Sequence, residues 1–151
     1  MSSYVVSCAS TALSASATQS LILINPATIA YKITELSVSF DSAAAATAVE
    51  VQLYRTTAVG SPAGTSTTPI KVTNPGATAA QSTALTALTT EPTTVEILRR
   101  WFVSPASGLL LLQHPLGREP GAAGAGQEIG LRAITPSGVT PHVAAYLEFE
   151  E

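Results

Sequence analysis

The side chains in this chain with the widest chemical repertoire are two histidines, His114 and His142, and a single cysteine, Cys8. Metal ligation needs several converging donors, and neither histidine has a second His, Cys or Asp at a ligand spacing. His114 precedes Pro115 in a loop and His142 opens a strand, so surface or loop hydrogen bonding is the expected role of both. A cysteine nucleophile needs a cationic neighbour to favour its thiolate. Cys8 lies in a Ser- and Ala-rich stretch without one and reads as a buried or incidental thiol. No serine stands in a G-x-S-x-G elbow, and the sole aspartate, Asp41, has no assignable triad partner. The glycine-rich GAAGAGQ at 121–127 follows a proline-laden loop and precedes a strand. A phosphate cradle would need a helix N-terminus there, so this is read as a flexible loop. Arg99 and Arg100 point to opposite faces of one strand and form no basic patch; a salt bridge across an interface or loop is their expected use. The residues thus predict no catalytic, cofactor-binding or metal site. A hydrolase would require His114 or His142 to converge with a Ser and a Glu in space.

The elements that would position these groups are strands. In residues 31–55, Leu36, Val38 and Phe40 alternate with Ser37, Ser39 and Asp41, and Val49, Val51 and Leu53 alternate with Glu50, Gln52 and Tyr54. A period of two with one apolar and one polar set predicts an amphipathic pair of antiparallel strands, joined through DSAAAATA. Tyr31 and Ile33 are out of phase with Leu36, which predicts a bulge near Thr34 or Glu35. LILIN at 21–25 predicts a strand buried on both sides. Residues 56–94 form a long passage poor in apolar bulk, with short strands expected at 69–73 and within 82–89; a helix at 77–88 is the alternative, against which its Thr and Ser content counts. Further strands are expected at 95–103, 109–113, 128–135 and 142–150. Residues 1–20 read as an N-terminal arm ordered by a neighbour, or as a terminus with one edge strand over YVVS. The prediction is an all-β chain: a jelly-roll-like antiparallel β-sandwich of about eight strands at 21–151, with long loops and the arm at 1–20.

The chain has 151 residues, enough for one domain that buries about two-thirds of its unfolded surface. Charged residues make up 11 %, well under the ~25 % usual for soluble domains, so Ser, Thr, Gly, Pro and Ala must build much of the surface. Seven basic and ten acidic residues give a net charge of -3, which argues against a general grip on nucleic acid. One cysteine gives no disulfide framework, MSSYVVS does not open like a secretory signal, and LILI and LLLL are far too short to span a membrane. Folding in a cytoplasm is expected. Phe40, Phe149 and Trp101 fit the core pattern, which leaves few aromatics for a sugar platform.

Four stretches carry a family resemblance: ITELSVSFDSAAAATAVEVQLYRTT; AGTSTTPIKV; EPT before VEILRRWFVSP and the PLGREP that follows; and GLRAITPSGVTPHVAAYLEFEE. From about Leu21 onward the chain resembles small β-rich structural proteins of tailed bacteriophages and prophages, similar in size and strand content to capsid decoration proteins. The resemblance implies a non-enzymatic virion protein on the outer surface of the head. Its partners would be the major capsid protein and itself, as a homotrimer, with no cofactor, nucleic acid or membrane. It brings no catalytic residues. Another head or tail component, or a carbohydrate-binding module for host attachment, is the alternative. Loop 57–94 and the arm would be the reaching elements.

Overall fold

In the computed structural model, residues 1–41, 47–58, 60–73 and 78–151 are described. They form twelve strands: β1 (Ser3–Ala12), β2 (Thr18–Asn25), β3 (Tyr31–Asp41), β4 (Val49–Ala58), β5 (Ala63–Thr67), β6 (Ile70–Lys71), β7 (Thr83–Thr90), β8 (Thr94–Val103), β9 (Leu109–Gln113), β10 (Gly121–Ala122), β11 (Glu128–Ile134) and β12 (His142–Glu150). The pairings are antiparallel. The first sheet runs β6-β1-β12-β3, with β9 and β10 both along the outer side of β3; the second runs β5-β7-β2-β11-β4-β8.

Eight of these strands make the framework. In chain order they are β1, β2, β3, β4, β8, β9, β11 and β12, and the sheets take them as first-eighth-third-sixth and second-seventh-fourth-fifth. That order is a jelly roll, in which each chain step crosses from one sheet to the other except the fourth to the fifth, β4 to β8, which pair within the second sheet, and the strands nest as Greek keys. The excursion between β4 and β8 supplies β5 and β7 beyond β2, and β6 beyond β1. Residues 77–88 contain most of β7 and no helix among the described positions.

The strand pattern of 31–55 is present, but β3 and β4 lie in opposite sheets and do not pair. Both halves were amphipathic because both face one core, from opposite sides. Most of the expected connection, residues 42–46, lies outside the described residues. The bulge is at Thr34: Glu35 pairs with Glu148, while Ile33 pairs with Phe149, so Tyr31, Ile33, Leu36, Val38 and Phe40 all reach the core despite their broken phase.

Residues 1–20 are not a reaching arm. β1 pairs with β12 from Ser3 to Ala12, its edge is partly covered by β6, and Tyr4, Val6 and Cys8 are buried. Tyr4 stacks on Phe149 at 5.7 Å and Tyr31 meets Phe149 edge-on at 5.9 Å, so β1 helps to build the aromatic part of the core. Small residues elsewhere in the segment hid three inward side chains at strand spacing.

A second, smaller apolar cluster covers the outer face of the second sheet. Leu23, Tyr54 and Leu88 are buried there, with Leu85, Val95 and Ile97 against them. Tyr54 lies across Gly130, where an added Cβ would run into the phenol ring and its oxygen. Glu91 accepts from the Ser20 backbone N–H at 2.6 Å and from the Ser20 hydroxyl. Because Ser20 spends its proton on Glu91, the Tyr54 hydroxyl donates to Ser20 Oγ at 2.7 Å.

Candidate functional site

The bulge at Thr34 turns Glu35 to the outer face of the first sheet, where its register partner is Glu148 of β12. Two residues along, Glu150 stands opposite Lys32. On the other side of β3, Gln113 at the end of β9 pairs with Glu35. The chain then leaves the sheet as His114 to Pro120, stapled to β3 at both ends: His114 N–H donates to Thr34 at 2.8 Å and Ile33 N–H donates to Pro120 at 2.8 Å. Between them Arg118 N–H donates to Pro115 at 3.0 Å, and Gly117 adopts φ of 80°, the left-handed region where glycine is favoured. The loop and the two strands enclose a cleft of about 400 Å³, walled by Glu35, His114, Leu116, Glu119, Glu148 and Glu150 among others.

Charge in this cleft is one-sided. Lys32 bridges Glu119 at 3.2 Å and Glu150 at 3.4 Å. Glu35 and Glu148 have no ion pair among the described residues; Tyr146 donates its hydroxyl to Glu35, and Ser3 donates to Glu148 at 2.6 Å. The Glu35 bond raises the Tyr146 phenol to about 12. The hydrogen bond to Glu119 raises Lys32, while the Glu119 backbone N–H, and then Lys32, lower Glu119. His114, expected to hydrogen-bond at the surface or in a loop, opens the loop and is buried, and its Nε2 has no hydrogen-bond partner among the described residues. Burial lowers its pKa, the nearby Arg99 lowers it further, and Glu119 opposes both.

This arrangement suits holding a positive charge. No group of three metal-ligating side chains converges among the described residues. His114 and His142 make no side-chain bond to a serine or a carboxylate, so the Ser-His-Glu convergence of a hydrolase is not formed among the described residues. His142 is exposed and pairs across the sheet with Asp41. Cys8 is buried in the core. Arg99 donates to its neighbouring Leu98 carbonyl, and Arg100 lies 3.7 Å from Glu50. In GAAGAGQ, Gly121 and Ala122 form β10 on β3, and Gln127 accepts from Ala123 N–H at 3.1 Å.

The acidic cleft went unread in the sequence. Glu148 and Glu150 show a shared polar face, but the register that brings Glu35 and the 114–120 loop to them is a long-range fact. The quoted motifs act mainly as braces: Glu91 of EPT ties Ser20, Glu119 of LGREP ties Lys32, and Glu151 accepts from Ser82 N–H at 3.1 Å and Ser82 hydroxyl at 2.6 Å.

Compared with protein-family models, with curated proteins and with solved structures, the chain gives no match. The strand order alone assigns it to the jelly-roll class.

Proposed function

We propose that this chain is a non-enzymatic structural protein of a tailed-bacteriophage virion, a capsid decoration protein that binds the outer surface of the head as a trimer and braces the major capsid subunits. One observation carries this reading: large exposed apolar side chains sit on the outermost strands. Phe102 lies on β8, Leu109 and Leu111 on β9, Ile70 on β6 and Val72 just after it. Exposed apolar groups along unpaired sheet edges mark surfaces that other chains cover. The low charge of the chain supports the same reading, as does the use of the motif carboxylates to brace loops. Many weak contacts repeated by capsid symmetry would add up through avidity.

The test is co-sedimentation of purified protein with expanded heads lacking it, together with immunogold labelling of virions. Saturable binding to heads and label over the capsid are expected. Label confined to the tail would make it a tail component, and absence from virions would end the reading. Mass photometry of the isolated protein is expected to show trimers, and a strictly monomeric result at high concentration would remove the trimer.

A further inference from the structure

We infer that copies of this chain join head to tail by strand addition, the free edge of β9 in one copy pairing with the free edge of β5 in the next; this names the contact of the trimer proposed above and rests on that trimer. β9 reads LLLLQ, apolar on both faces, which is the pattern of a strand buried on both sides. It lies instead at a sheet edge, paired with β3 alone among the described residues, with Leu110 and Leu112 against the core and Leu109 and Leu111 exposed. Phe40 N–H donates to the Gly108 carbonyl at 3.0 Å and His114 N–H to the Thr34 carbonyl at 2.8 Å, which fixes the phase of the ladder between them. The even-numbered residues of β9 turn their backbone groups to β3. Leu109, Leu111 and Gln113 therefore hold their N–H and C=O groups out along the free edge, where a further strand can take them up.

The remaining edges show which strand that is. β8 carries Glu96, Arg99 and Arg100 and a bulge at Leu98, the devices that keep a sheet edge single. β6 and β10 have two residues each. β5, AGTST, has five residues as β9 has, pairs with β7 alone among the described residues, and contains neither charge nor proline. No Asp, Glu, Lys or Arg stands between Arg55 and Lys71 or between Arg100 and Arg118, so the two open edges come together without stranding a charge. They lie at opposite ends of the sandwich: β9 follows β8 through the 104–108 turn, and β5 closes the far end of the sheet that β8 begins. Ile70 and Val72, exposed beyond β1 at the β5 end, bring apolar surface to the same contact. Pairing of β9 with its own copy would make two-fold dimers and leave β5 open. A β9-to-β5 contact uses both edges of every copy, and a contact between two different surfaces is the kind that closes into a ring.

The test uses the isolated full-length protein. Leu111→Pro removes one outward N–H and leaves the β3 ladder whole, a position at which an edge strand accepts proline. Its trimers are expected to dissociate at least about tenfold more readily than the parent's in analytical ultracentrifugation. Should that variant fail to fold, cross-linking decides. Ser66→Cys and Leu111→Cys are made singly and together, the native Cys8 being buried, and treated with a short bismaleimide. The double variant is expected to give covalent trimers and the two single variants, mixed, covalent pairs, while neither single variant cross-links alone. Cross-linking of Leu111→Cys by itself would assign β9 to a two-fold contact and overturn the inference. So would a trimeric parent with no cross-link between positions 66 and 111, or a folded Leu111→Pro with trimers as tight as the parent's. A monomeric parent removes the trimer and this contact together, whereas cross-linked trimers that do not bind heads keep the contact and end only the capsid reading.

Discussion

At the scale of single residues, two buried titratable groups carry pH dependence of opposite sign. Glu128 opens β11 with its side chain buried and Oε2 without a partner among the described residues. Burial raises its pKa, against the opposing effect of its own backbone N–H. The folded chain therefore keeps the proton to higher pH than the unfolded chain does. The stability this contributes is present below the unfolded pKa of about 4.3 and is lost as pH rises through the folded value. Glu128→Gln is always neutral and should be more stable than the parent at neutral pH, with the gap closing near pH ~4. Urea denaturation at the two pH values checks this, and a gap independent of pH would locate the cause elsewhere. His114 runs the other way. Its pKa is lowered by burial and then by Arg99, so the fold favours the neutral ring. Stability is full above the unfolded value of about 6.5 and falls as the pH drops below it. His114→Gln should flatten the urea midpoint in that acidic range and leave the Glu128 region unaltered.

At the scale of elements, the segment Glu91 to Thr93 acts as a strap over the outer face of the second sheet. Glu91 holds the backbone and hydroxyl of Ser20, Ser20 orients the Tyr54 hydroxyl, and Tyr54 covers Gly130 with Arg132 stacked at 5.2 Å from its ring. Glu91→Ala removes an acceptor from a buried N–H and frees the strap, at a cost of about 2 kcal/mol. Thermal melting gives the loss, and hydrogen exchange should rise at the Ser20 amide before it rises in β3 or β12. An unchanged Ser20 amide would mean that the strap is held by something other than this carboxylate. The strands beneath it were legible because apolar side chains two residues apart record a buried face, as Val143, Ala145, Leu147 and Phe149 do in β12. The bulge at Thr34 was legible for the same reason, as a break in that phase. β5 was not, because AGTST has no apolar group and is a strand only through its pairing with β7. Nor was the cleft legible. It depends on which strand lies beside which, and an alternating pattern says that a face is buried without naming its neighbour.

At the scale of the whole molecule, the exposed apolar sheet edges are the surface that a partner would cover, and substitutions can test them. Sheets that stay single usually blunt their edges with charge or proline. β8 carries Glu96, Arg99 and Arg100, yet Phe102 near its end is 74 % exposed, and Leu109 and Leu111 line the edge strand that follows it. These side chains contribute little to the fold, because they are already in water. Phe102→Lys with Leu111→Lys should therefore leave the melting behaviour within about 0.5 kcal/mol of the parent and, if the chain is the decoration protein proposed above, abolish trimers and head binding. Mass photometry, calorimetry and head co-sedimentation on this variant give the answer. If the lysine variant assembles as the parent does, the apolar edges are not the contact surface.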